Sequence, residues 1–118
     1  MTFQKKKGFN KERREKNAGL VHKLHKYKAA FYTADWCGYC KIQKKILNAI
    51  DPHLLQFVKE NDKNVPKGIT GFPALYIPGD SLKSIEGTPK DKDGNTLPAI
   101  IPGFKNEKQL FQIVSQLP

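Results

Sequence analysis

Polar and charged positions dominate the chain up to Leu20, Val21, Leu24 and Tyr27, which recur at helical spacing. That spacing predicts a helix over about Lys11 to Tyr27 with one thin apolar stripe that docks on a core. The run "KAAFYT", Lys28 to Thr33, carries two adjacent aromatics and predicts a buried strand. Ala34 and Asp35 then turn the chain, and Asp35 is the expected cap of a helix whose first turn contains Cys37. In that helix Ile42, Ile46 and Ile50, with Leu47 beside them, are expected on the buried face, and Lys41, Lys44, Lys45 and Asn48 on the other. Pro52 closes it by forcing Asp51 out of helical geometry. His53 to Lys59, "HLLQFVK", reads as a second strand, parallel to the first through a right-handed crossover.

From Glu60 to Gly71 the chain is polar, with Pro66 and Gly68, and allows a turn or two of helix at most. Ala74 to Ile77 predicts a third strand, halted by Pro78 and Gly79, and Leu82 to Glu86 a fourth, hairpin-linked to it. Residues 87–98 read as loop or irregular hairpin. Phe104, Leu110, Phe111, Val114 and Leu117 predict a last helix capped by Asn106. The order is β-α-β followed by β-β-α: an α/β domain around a central mixed sheet.

Length and charge refine this picture. A chain of 118 residues suits one domain with one core. Residues 1–28 carry ten Lys or Arg against Glu12 and Glu15, while the other 90 carry 11 basic and 9 acidic groups. Nearly all of the excess of +10 is therefore a terminal feature, which divides the chain into a partly helical basic arm, residues 1–27, and a nearly neutral domain, residues 28–118. Such an arm is expected either to stay solvated or to make weak electrostatic contact with nucleic acid or an acidic partner. No window approaches the ~20 apolar residues of a membrane span, and the N-terminus lacks the apolar run of a secretory signal. Its acids, and its lack of serine, argue against a mitochondrial presequence. The expectation is a cytoplasmic monomer with no membrane contact.

Both cysteines lie in "TADWCGYCK", three positions apart. At a helix start, unpaired N–H groups and the helix dipole stabilise a thiolate on the first, making Cys37 the expected nucleophile. Cys40, one turn on, is the expected resolving thiol. Alternatives stay open: zinc held by the pair with His22 and His25, or two inert buried thiols in a fold kept for binding. A structural disulfide across so short a loop would constrain the unfolded chain little.

"WCGYC" at Trp36 to Cys40, "GFPAL" at Gly71 to Leu75 and "PGFKNEKQLFQIV" from Pro102 resemble the thioredoxin family over about residues 28–118. The resemblance implies a thioredoxin fold and thiol-disulfide oxidoreductase activity that needs no metal or organic cofactor. Its implied partners are disulfide-containing protein substrates and a reductase or glutathione as recycling donor. It further implies a cis Phe72–Pro73 bond beside the dithiol, a Phe72 backbone that pairs with extended substrate, and a shallow groove. Trp36, Gly38, Tyr39, Phe72, Pro73, Gly103 and Phe104 are the implied substrate-binding residues. The chain departs from the family in four ways, one being the loss of much of the helix before Gly71-Phe72-Pro73. Phe31 stands where thioredoxins bury an aspartate, Gly-Tyr replaces Gly-Pro between the cysteines, and the basic arm replaces the first strand.

Overall fold

The computed structural model describes residues 2–118, with side chains from Lys11 onward; the side chains of Lys5, Lys6 and Lys7 in the basic arm lie outside the described residues. The first helix, α1, runs Thr2–Lys26, so the polar stretch before Lys11 is helical in its backbone too. Among Lys11 to Lys16 every side chain is exposed, whereas Leu20, Leu24 and Tyr27 are buried as the stripe predicted. The helix ends in a paired turn: Lys28 N–H bonds His25 O at 3.1 Å and Ala29 N–H bonds Leu24 O at 2.9 Å. Lys28 holds the left-handed conformation (φ 56°) usually given to glycine.

The strands are β1 (Ala30–Thr33), β2 (Val58–Glu60), β3 (Ala74–Ile77) and β4 (Ala99–Pro102). They form one mixed sheet in the order β2-β1-β3-β4. β1 pairs parallel with β2, Phe31 opposite Val58, and antiparallel with β3, Phe31 opposite Leu75. β3 pairs antiparallel with β4, Leu75 opposite Ile101. Helix α2 (Gly38–Ile50) connects β1 to β2, and α4 (Glu107–Ser115) follows β4. The expected α/β class and the β-α-β, β-β-α order are thus present.

Two strand assignments are corrected. Pro52–Phe57 is a 3₁₀ helix, leaving only Val58–Glu60 as β2. Asp51 accepts the His53 N–H at 2.9 Å and Pro52 occupies the first helical turn, a combination that starts a helix. Leu54 and Phe57, three apart, are then buried together. Likewise Leu82 to Glu86 is no strand: Gly79–Leu82 is a one-turn helix, α3, and the fourth strand is Ala99–Pro102. The stretch between them is an irregular hairpin bridged at Lys90 and Thr96, its tip held by Asp91, which accepts from the Asp93 and Asn95 N–H groups. A β-carbon on Gly79 would lie 2.0 Å from the Thr96 carbonyl oxygen, so glycine lets this hairpin close on α3.

The core joins α1 through Leu24, β1 through Phe31, α2 through Leu47, β3 through Leu75 and α4 through Leu110. Polar bonds fasten α1 at three further points. Asn17 Nδ2 donates to Ile50 O (2.8 Å) at the end of α2, Lys23 Nζ to Leu117 O (2.8 Å), and the Tyr27 hydroxyl to Pro118 O (2.7 Å). Among the described residues no helix is long and apolar enough to cross a membrane.

Candidate dithiol site

The fully buried strand β1 delivers the chain to Ala34, and α2 begins four residues later. Cys37 caps α2: its sulfur accepts the Cys40 N–H at 3.2 Å. Asp35, the expected cap, is instead exposed, with its N–H bonded to Asn61 Oδ1 at 3.1 Å. The correction has a simple cause. The backbone turns at Ala34, where Cys37 N–H bonds Ala34 O at 3.1 Å, and this places the cap position at Cys37.

Across the site the Cys37 thiol donates to the Phe72 carbonyl at 3.3 Å. The Phe72–Pro73 peptide bond is cis. Ala34, Cys37, Cys40 and Phe72 form a small apolar cluster separate from the main core. Cys37 keeps 6% of its surface and Cys40 none, and neither is in a disulfide. Burial, and then the side-chain hydrogen bond with Cys37, push the Cys40 thiol up to about 11. Phe31, where a carboxylate would sit in the thioredoxin pattern, is 2% exposed, so β1 offers Cys40 no acidic group at that position.

The residues implied to form a groove are partly brought together. The Trp36 ring meets the Phe72 ring edge-on at 6.0 Å between centroids, and Trp36 and Tyr39 are 75% and 66% exposed. Gly103 N–H bonds Pro73 O at 2.9 Å, tying the turn after β4 to the proline. Gly38 and Gly103 are exposed, Phe72 and Phe104 half-buried, and Pro73 buried. Gly103 has φ 87°, a left-handed value that makes glycine the fitting residue there.

Two positions on α2 differ from the expected pattern. Ile42, assigned to the buried face, is 46% exposed, and Gln43 takes the buried position at 1%. The Gln43 amide donates to Lys105 O at 3.0 Å and accepts from Lys105 N–H at 2.8 Å. Gln43 thereby fixes the turn that carries Gly103 and Phe104. Its spacing, three after Cys40 and four before Leu47, was the signal that could have marked it. Among the described residues no three His, Cys, Asp or Glu side chains gather closely enough to hold a metal ion, so His22 and His25 do not complete a set with the cysteines.

The two thiols thus lie one helical turn apart at the start of α2, Cys37 in the cap position and Cys40 fully buried. Comparison with protein-family models, with curated proteins and with solved structures returned no match for this chain.

Proposed function

We propose that the protein is a thiol-disulfide oxidoreductase of the thioredoxin fold, acting through Cys37 and Cys40. The observation that carries this reading is the position of the Cys37 sulfur at the start of α2, where it accepts the Cys40 N–H at 3.2 Å while Cys40 lies fully buried behind it. Cys37, at the helix start, takes the attacking role and Cys40, one turn on and without exposed surface, the resolving one. The sheet order and the β-α-β, β-β-α sequence support the fold assignment.

In the proposed cycle the Cys37 thiolate attacks one sulfur of a protein disulfide, forming a mixed disulfide and releasing the other sulfur as thiolate. Cys40 loses its proton to water and attacks the Cys37 sulfur, so the second substrate thiolate leaves and a Cys37–Cys40 bond remains. Two electrons pass to the substrate, and two protons follow them. A reductase or glutathione returns the pair to the dithiol, and in a reducing compartment such as the cytosol the net direction is reduction of substrate. With Phe31 in β1 where a carboxylate could stand, proton removal from Cys40 falls to water, which makes the second step the slow one. The test is insulin-disulfide reduction by dithiothreitol. The wild type should accelerate it and Cys37→Ser should not; equal rates for the two would remove the proposal.

A second reading, a redox-inactive adaptor that holds nucleic acid or an acidic protein, draws on the exposure of Lys11, Arg13, Arg14 and Lys16 along α1. Replacing Lys11 and Arg14 by glutamine separates the two. Loss of partner binding, in a protein whose cysteines show no reversible two-electron couple, favours the adaptor.

A further inference from the structure

The apolar surface beside the dithiol does not stop at its rim. Tyr39, Ile42 and Ile46 follow one another at spacings of three and four along α2, and so lie on one flank of the helix. Tyr39 and Ile42 are 66% and 46% exposed. Ile46 then opens into a cavity of about 790 Å³ between α2 and α4, shared with Phe111, Lys108 and Lys16 of α1. An apolar strip thus begins at Tyr39, two positions after Cys37, and ends at Ile46, nine positions after it, in a hollow of the surface.

The charges around that hollow are one-sided. Glu107, its only acid, already faces Arg13 at 3.4 Å. The Lys16 ammonium sits 4.6 Å from the centre of the Phe111 ring, and neither Lys16 nor Lys108 has an ion pair among the described residues. A second copy of this chain would set these lysines against its own, on a molecule of net charge +10. An apolar side chain with a carboxylate beside it satisfies both the floor and the rim.

We infer that the strip from Tyr39 through Ile42 and Ile46 into the α2–α4 cavity is a docking track for the disulfide partner, which places an aliphatic residue and an adjacent acid there while its cysteine meets Cys37. This deepens, and rests on, the oxidoreductase reading. Nine helical positions span about 14 Å. An extended peptide covers that in about four residues. The track therefore selects protein disulfides with a Leu-Glu type of pair roughly four residues from the cysteine, over small disulfides that reach only the sulfur.

Synthetic peptides test this, each carrying its cysteine as a mixed disulfide with thionitrobenzoate. Attack by Cys37 joins the peptide to the protein and releases the coloured thiolate. One peptide has Leu-Glu four residues before the cysteine, one four residues after, one Leu-Lys in the favoured place, and one only Gly-Ser. The expected result is release about tenfold faster from one Leu-Glu peptide than from Gly-Ser, the discrimination that one apolar contact supplies. Ile42→Asp should remove the advantage. Lys108→Glu should transfer it to the Leu-Lys peptide. Equal rates for all four peptides overturn the track and leave the dithiol reading standing. If no peptide reacts, the dithiol reading fails instead, and the same peptides with serine for cysteine decide the track by nuclear magnetic resonance titration. Shifts at the Ile42, Ile46 and Phe111 amides with Leu-Glu but not Gly-Ser uphold it, and their absence overturns it.

Discussion

Gln43 and Lys105 are bonded to each other in both directions, amide to carbonyl at 3.0 Å and backbone N–H to amide oxygen at 2.8 Å. A helix residue with no chain neighbour near β4 thus fixes the turn that follows β4. Gln43→Ala leaves both Lys105 groups without partners in a half-buried place, and stability should fall by about 2 kcal/mol. Gln43→Glu keeps only the acceptor and buries a charge, so it should be no milder. Urea denaturation of the three proteins measures both.

The Cys37 sulfur has two bonds, one accepted from Cys40 N–H and one given to Phe72 O. Cys37→Ala breaks both and should cost about 1–2 kcal/mol. Cys37→Ser can rebuild both and should cost less, while abolishing any disulfide reduction. Equal stability of the alanine and serine proteins would mean that the two bonds contribute nothing.

Cys40 sets a pH dependence. Its thiol is held near 11 in the folded protein against an ordinary 9.0, so the folded state keeps a proton that the unfolded state gives up between those values. The favourable contribution is complete below pH 9 and is lost as pH rises toward 11. Denaturation under reducing conditions should show the stability difference between wild type and Cys40→Ala moving against the wild type across that window. A constant difference would contradict the assignment.

Helix α1 answers to two different tests along its length. Leu24, 1% exposed, is core, and Leu24→Ala should cost about 2–5 kcal/mol. Deleting residues 1–27 removes Leu20, Leu24 and Tyr27 together and should abolish folding. Arg14→Gln, on the exposed part, should change stability by less than about 0.5 kcal/mol. Circular dichroism and thermal melting of the three variants check the contrast.

These contrasts show what the linear pattern carried. The stripe Leu20, Leu24, Tyr27 and the pair Leu110, Val114 were legible because helical spacing and burial coincide there. The strand Ala30–Thr33 was legible because it is buried on every residue. Residues His53 to Phe57 misled, because a short apolar run has no period of its own and the deciding signal was the Asp51-Pro52 start. The fourth strand was misplaced because Leu82 to Glu86, with only Leu82 and Ile85 apolar, follows the Pro78-Gly79 turn directly, whereas the apolar run Ala99 to Pro102 lies beyond a polar hairpin that closes against Gly79. In the site, the cysteine spacing was visible, but the bonds from Cys37 to Phe72 and from Gln43 to Lys105 cross 35 and 62 positions and leave no local trace.

One unbroken helix contains both the exposed cationic turns and the turns that belong to the core. It is about 37 Å long, and Asn17 ties it to Ile50 while Lys23 ties it to Leu117. A molecule gripping the cationic turns would therefore hold the same element that packs against the core.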